Sequence, residues 1–460
     1  MRLCSRVLIL SFAIATYSMA QEKSPNVQLP STEAARHVEA YLKAFNAGAE
    51  TDMRSFFESH AAKSALAEVP VEQRLSRYRQ MKQRLGSLTL VKVLGSSEDL
   101  VSIVAKPGNG GPVQLDFQCE STAPHGLLGI RVEDIGDQDE AQPAGTRKGS
   151  VEELVKSVSQ YLSDLSKADA FSGVVLIANK GKTVFEHAYG YADRDRKTPN
   201  TVETKLNLGS INKRFTKTAI HMLAAQGKLS LADPVGKFLP DYPNKTAAEK
   251  VTIQQLLEMR SGIGDFFNER YERTPKERIR SIADYFPLFA DKPLEFEPGN
   301  SRRYSNGGYI VLGAIIEKVS GKDYYTFVKE NIFVPAGMLS TDAFEKDKEV
   351  PQRALGYTKV GDGTNGGWRS NYATLPGKGS SAGGGYSTVH DLLRFVQALE
   401  HGKLPAPDTE GGLGIAGGAP GLNAALEWDP ASGYVIAVLS NFDPPSAEKV
   451  ARQIRAWLPR

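Results

Sequence analysis

The stretch Leu206-Asn207-Leu208-Gly209-Ser210-Ile211-Asn212-Lys213-Arg214-Phe215-Thr216 runs from a small-residue turn into a helix. Ser210 and Lys213 stand three residues apart, a spacing that puts hydroxyl and amine on one helical face. The helix N-terminus lends positive potential to the Ser210 end. A lysine held beside a serine and partly withdrawn from water can lose its proton and act as base. Ser210 is therefore a candidate nucleophile and Lys213 its candidate base. The pair alone also fits an N-cap followed by a solvated lysine. Short motifs recur by accident, and Ser446-Ala447-Glu448-Lys449 repeats the pattern. The surrounding chain has to decide.

Upstream, Ser150-Val151-Glu152-Glu153 is a capping box. It opens a helix with Val151, Leu154, Val155, Val158, Leu162 and Leu165 on one face. Two apolar strands follow, 171–179 and 182–192, joined as a hairpin by Lys180-Gly181. Downstream, polar loops and helices run to about residue 400. A second hairpin, 421–428 and 433–440, and a helix from about Ser446 to Leu458 close the chain. Helix–hairpin at one end and hairpin–helix at the other imply an α+β fold. One antiparallel sheet is flanked by the terminal helices, with a large, mostly helical insertion between its halves. Ser210 begins that insertion, at the boundary where a cleft forms.

A different pattern precedes residue 150. Val38, Tyr41, Leu42 and Phe45 mark an amphipathic helix starting near Ser31, and helical patterns follow at 52–66 and 70–85. Strand-like runs come next at 87–94, 99–106, 112–120 and 126–135. This predicts a small α+β domain over 31–135, whose element order resembles the cone-shaped ketosteroid-isomerase-like fold. It reads as an accessory domain, with His37, His60 and His125 as surface or packing residues. The polar stretch 136–149 (GDQDEAQPAGTRKG) is the expected linker to a domain over 150–460. Residues 1–20 combine a basic start, the apolar run Val7–Ala15 and the ending Ser18-Met19-Ala20. That is a secretory signal pattern, implying an exported chain, periplasmic or extracellular, without a membrane span after cleavage.

A 460-residue chain with 41% hydrophobic and 24% charged residues is globular in composition. Its formal charge of +3 includes Arg2 and Arg6 of the signal, so the remainder is nearly neutral. This gives no footing for a nucleic-acid or anionic-membrane partner. Cys4 leaves with the signal and Cys119 falls on the buried face of an alternating strand, so no internal disulfide is expected. No H-E-x-x-H, Cys pair or EF-hand loop is present, so neither metal nor other cofactor is implied. The expected partner is a small-molecule or peptide substrate, and the sequence leaves oligomeric state open.

Two motif matches fail on context. Gly379-Ser380-Ser381-Ala382-Gly383 fits G-x-S-x-G but lacks the buried strand a nucleophile elbow needs. Gly361-Asp362-Gly363-Thr364-Asn365-Gly366 fits a dinucleotide pattern without a βαβ unit around it. Two other groups carry chemistry. In Tyr304-Ser305-Asn306, the phenol could relay a proton and the amide could orient a substrate carbonyl, although Tyr242-Pro243-Asn244 shows the pattern to be weak alone. In Gly414-Ile415-Ala416-Gly417-Gly418-Ala419-Pro420-Gly421, missing side chains let the backbone approach a ligand closely.

Taken in order, these groups resemble the penicillin-recognising serine hydrolases, nearest to class C β-lactamases and their esterase and D-peptidase relatives. The resemblance covers roughly 150–460. It includes Leu229–Val235, Val251–Leu257 ahead of Ser261-Gly262-Ile263, and Ala382–Thr388 before Asp391-Leu392. It implies that Ser210 forms an acyl-enzyme, Lys213 takes its proton, Tyr304 relays protons and Asn306 holds substrate. The amides of Ser210 and Gly418, with Gly417 alongside, would bind the oxyanion. Where the family carries Lys or His, then Thr or Ser, then Gly, this chain has Ile415-Ala416-Gly417. The expected activity is hydrolysis of an ester or amide without a strict carboxylate requirement. β-Lactamase or D-amino-acid peptidase action, and a decayed binding or regulatory protein, are the alternatives.

Overall fold

The structure is a computed structural model that describes residues 27, 29–30, 32–96, 100–109, 112–120, 123–134, 150–360, 367–409 and 411–459. The signal pattern, the 136–149 linker and the Gly361–Gly366 loop fall outside those residues. The chain divides into two compact units, 1–145 and 146–460.

In the first unit, helix α1 (Glu33–Ala47) is capped by Thr32, whose hydroxyl accepts from Ala35 N. It buries Val38, Tyr41 and Phe45. Helices α2 (Glu50–His60), α3 (Lys63–Glu68) and α4 (Val71–Leu85) follow. The single helical pattern expected over 52–66 is thus two helices. Chain contact explains the break: Ala62 N donates to Leu127 O, and a Cβ on Gly126 would stand 2.8 Å from Ala62 Cα. Strands β1 (Leu88–Ser96), β2 (Leu100–Pro107), β3 (Val113–Cys119) and β4 (Leu127–Asp134) form an antiparallel meander in that order. Phe117, Leu115 and Cys119 of β3 join Tyr41 and Phe45 in one core. The three histidines converge: His37 Nδ1 lies 3.0 Å from His60 Nδ1, and His37 Nε2 is 2.9 Å from His125 O.

The second unit opens with α5 (Val151–Lys167), whose capping box between Ser150 and Glu153 is complete. Strands β5 (Gly173–Asn179) and β6 (Lys182–Tyr189) turn at Lys180 and Gly181, both with positive φ, 48° and 76°. That is the geometry a tight two-residue hairpin requires. The main helices of the insertion are α6 (Asn212–Ala225), α7 (Asn306–Ser320) and α8 (Val389–Glu400). A small hairpin, β7 (Tyr357–Val360) with β8 (Gly367–Ser370), lies between the last two. The chain closes with β9 (Leu413–Ala419), β10 (Leu422–Asp429), β11 (Tyr434–Ser440) and α9 (Ser446–Trp457).

The five strands pair in the order β9–β10–β11–β5–β6, all antiparallel, so first and last hairpins meet at β11–β5. Val175 and Ile177 of β5 pack with Leu154, Val158, Val450 and Ile454 of the terminal helices. Val174, Leu176 and Ala178 face the opposite way, into the large core with Phe215 of α6 and Phe395 of α8. Burial on both faces is why β5 reads as an unbroken apolar run instead of an alternation. β9 ends the sheet as an edge strand beside the turn that precedes α6. The β7–β8 hairpin is clasped through Trp368: its Nε1 donates to Asp169 at 2.8 Å, Arg194 grips the same carboxylate at 2.7 and 2.8 Å, and Trp368 stacks on Phe442.

Candidate active site

Gly209–Ile211 forms one 3₁₀ turn, and α6 starts at Asn212. Ser210 thus sits just before the helix instead of leading it. Gly209 takes φ 50°, and a Cβ there would stand 3.0 Å from Gly418 N and Gly417 C. A Cβ on Gly417 would stand 2.2 Å from Leu208 O and 2.6 Å from Ser210 N. Backbone therefore packs on backbone where β9 passes the Ser210 turn, and glycine is required on both sides.

Ser210 Oγ lies 2.6 Å from Tyr304 OH and 3.1 Å from Lys213 Nζ. Lys213 also donates to Asn306 Oδ1 at 2.7 Å and to Ala382 O at 2.5 Å. A neutral amine has two N–H bonds and one lone pair. Asn306 and Ala382 are acceptors only at these atoms, so they take the two N–H bonds, and the lone pair is left for the Ser210 proton. Burial, the main cause, brings the Lys213 pKa down to about 7, with Asp265 working in the opposite direction. Lys213 is 7% exposed, so the free base is accessible near neutral pH. Partial loss of water around Tyr304, whose ring is otherwise half exposed, pushes its pKa up, partly offset by its bond to Ser210. Tyr304 is therefore a phenol, a donor, at the pH where Lys213 is a base.

Asn306 is itself held. Its Nδ2 donates to Asp265 Oδ2 at 2.7 Å, and its backbone N reaches the same oxygen at 3.3 Å. The result is a chain Asp265–Asn306–Lys213–Ser210–Tyr304. Sequence reading missed Asp265, although it stands two residues beyond the quoted Ser261-Gly262-Ile263. No strand leads directly into the Gly379–Gly383 loop, yet Ala382 O of that loop holds Lys213. The decoys separate cleanly. Asn244 caps a short helix and Tyr242 is buried, while Ser446 Oγ donates to Ser440 Oγ at 2.9 Å.

The site opens on a cavity of about 920 Å³. Ser210, Tyr304, Asn306, Gly417 and Gly418 all border it. Part of the lining is an aromatic wall: Phe266 and Phe267 have ring centroids 4.4 Å apart, and Phe266 meets Tyr285 at 4.7 Å. Ile415 packs against the large core, and β9 presents Ala416, Gly417, Gly418 and Ala419 here. Lys276 borders the cavity, but its ammonium is engaged by the carbonyls of Tyr271, Glu272 and Thr274. Among the described residues, no group of three or more His, Cys, Asp or Glu side chains could hold a metal ion. No helix among them is long and apolar enough to cross a membrane.

Residues 158–413 match the beta-lactamase family, more than half of the chain. The chain belongs to that family. Among curated relatives, the putative penicillin-binding protein PbpX of Bacillus subtilis is 33% identical over 270 residues, 58% of this chain. The chain spans 65% of that relative's length. Among solved structures, a penicillin-binding protein from Bacillus halodurans aligns with TM-score 0.58 and 27% identity, over 67% of this chain and all of that one. D-amino acid amidase of Ochrobactrum anthropi shares the fold, with TM-score 0.57 at 23% identity over 67% of this chain and 98% of its own. As a penicillin-recognising serine hydrolase relative, the chain has the mixed α+β architecture of these neighbours. The family match ends at Leu413, where β9 begins, so the strand carrying Ile415 lies beyond it.

Proposed function

We propose that the unit 146–460 is a serine hydrolase that forms an acyl-enzyme at Ser210 on uncharged esters or amides. The observation that carries this reading is the Lys213 hydrogen-bond set, which leaves one lone pair facing Ser210. Ser210 Oγ attacks the substrate carbonyl carbon while Lys213 takes the hydroxyl proton. The carbonyl oxygen, now negative, is met by the amides of Ser210 and Gly418. As the tetrahedral adduct collapses, Tyr304 donates its proton to the leaving oxygen or nitrogen and recovers one from Lys213. Water then attacks the acyl carbon by the same route in reverse, releasing the acid and free Ser210.

The aromatic wall and the absence of a lysine or histidine on β9 support apolar substrates without a carboxylate. A second reading, reaction with β-lactams or D-amino-acid peptides, draws on the likeness to penicillin-binding proteins; Ile415 counts against it. The signal pattern supports action outside the cytoplasm.

The test is covalent labelling read by intact mass. A fluorophosphonate should add once to the wild type and not to Ser210→Ala. No adduct on the wild type, or an equal adduct on the variant, sinks the hydrolase reading. Comparing p-nitrophenyl esters with nitrocefin ranks the substrates, and faster nitrocefin turnover would favour the second reading.

A further inference from the structure

Asn423 lies on β10 with no exposed surface, and none of the steps above uses it. Its side-chain amide is shared between two elements. Oδ1 accepts from Ala447 N at 2.6 Å and Glu448 N at 3.2 Å, while Nδ2 donates to Gly417 O at 3.0 Å. The two helix N–H groups can be met only by the oxygen, so the amide has one orientation. Helix α9 has Pro445 at its N-cap, which supplies no side-chain acceptor. Oδ1 therefore caps α9 from a neighbouring strand.

A cap has no need of the Nδ2 contact. In a trans peptide, the carbonyl and the following N–H point in opposite directions. Asn423 draws the Gly417 carbonyl toward β10, which turns the Gly418 N–H toward the other side. That side holds the Ser210 turn, since Gly418 N lies 3.0 Å from where a Gly209 Cβ would be. Gly417 and Gly418 pair with Ala424 and Asn423 in the sheet, and as part of an edge strand this two-glycine peptide is braced from the β10 side only.

We propose that Asn423 is a positioning residue that keeps the Gly418 N–H turned toward the oxyanion formed at Ser210. The proposal rests on the acyl-enzyme reading given above. It makes β9 dependent on the α9 terminus, because one amide serves both.

Asn423→Asp tests it, because aspartate keeps the acceptor for α9 and loses the donor to Gly417 O. The expected result is a kcat on a p-nitrophenyl ester lower by about 10 to 10²-fold, less than complete loss of an oxyanion donor. KM should change little, and affinity for an aryl boronic acid, whose tetrahedral adduct carries the same oxygen, should fall in parallel. The melting temperature should fall, because the variant buries a carboxylate beside the Gly417 carbonyl, so kcat is taken per folded molecule. Asn423→Ser, with a smaller side chain that can still accept from the helix, provides the same readouts if the aspartate variant does not fold. Wild-type kcat and boronate affinity in the folded variant would overturn the proposal. So would a kcat that falls only with the folded fraction, with boronate affinity intact, because that assigns Asn423 to capping alone. If the wild type gives no Ser210 adduct with fluorophosphonate, the hydrolase reading fails and takes this one with it. An adduct on the wild type with Asn423→Asp unaltered rejects the positioning role alone.

Discussion

Around Ser210, four side chains and a backbone carbonyl form one continuous run of hydrogen bonds, whereas β9, passing beside it, contributes no polar side chain from Ile415 to Ala419. The first region fixes proton positions and leaves little room for substitution. The second fixes only where backbone stands and offers a substrate apolar surface. On the acyl-enzyme reading proposed above, bond-making is specified atom by atom, and recognition is left to shape and to the aromatic wall. Perturbing the two regions should therefore give effects of different size and kind.

The largest effect belongs to Lys213. Lys213→Ala removes the base and should lower kcat by about 10²–10⁴-fold. Lys213→Arg should be as inactive, because a guanidinium donates but does not deprotonate in this pH range. Activity in the arginine variant would show that Tyr304 alone can take the Ser210 proton. In the wild type, the base is neutral only above its pKa, so kcat/KM on a neutral ester should rise with pH through about 7.

Gly417→Ala should follow. Its Cβ meets backbone at Leu208 O and Ser210 N, so β9 and the nucleophile turn must separate. Loss of about 10²–10³-fold in kcat is expected from the displaced oxyanion amide. Overpacking should also cost about 1–3 kcal/mol of stability, read by denaturant unfolding. A variant that keeps wild-type kcat would show that the Ser210–β9 approach is looser than the glycines imply.

Asp265→Asn is a smaller and more discriminating change. Removing this carboxylate takes away the influence that raises the Lys213 pKa, so the acidic limb of the pH profile should move to lower pH. The amide of Asn306 loses its charged acceptor, and kcat above the limb should fall by about tenfold, on the scale of a charge-assisted hydrogen bond. A limb that stays in place would separate Asp265 from the lysine proton.

How far these regions were legible follows from their physics. Ser210 with Lys213, and Tyr304 with Asn306, were legible because each pair is local and its spacing fixes its geometry. The sheet was legible because Lys180-Gly181 and the apolar run of β5 have few other readings. Asp265 was not, since nothing local ties it to Asn306 forty-one residues later; the fold alone brings them together. Ala382 acts through a carbonyl, which every residue has. The break at Ala61-Ala62 was hidden because alanine favours helix and the cause is a contact with β4. Asn423 reads in sequence as one polar residue in an apolar strand.

Arg369 gives the smallest expected effect and bears most directly on the recognition end. It sits on β8 opposite Thr358, borders the cavity, and forms no ion pair among the described residues. Lys276 is occupied by carbonyls, so among the described lining residues Arg369 is the cation left to meet an anionic substrate group. It is also exposed, so water and salt weaken whatever it attracts. Arg369→Glu should lower kcat/KM for a carboxylate-bearing ester by about fivefold, the scale of a solvent-exposed ion pair, and should leave a neutral ester within about twofold. Raising ionic strength should shrink the difference between wild type and variant. Equal loss on both esters would mean that Arg369 shapes the cavity instead of reading charge. A loss beyond about a hundredfold confined to the charged ester would mean that hairpin β7–β8 supplies the carboxylate recognition that Ile415 takes from β9, and the two regions would then be equally specified.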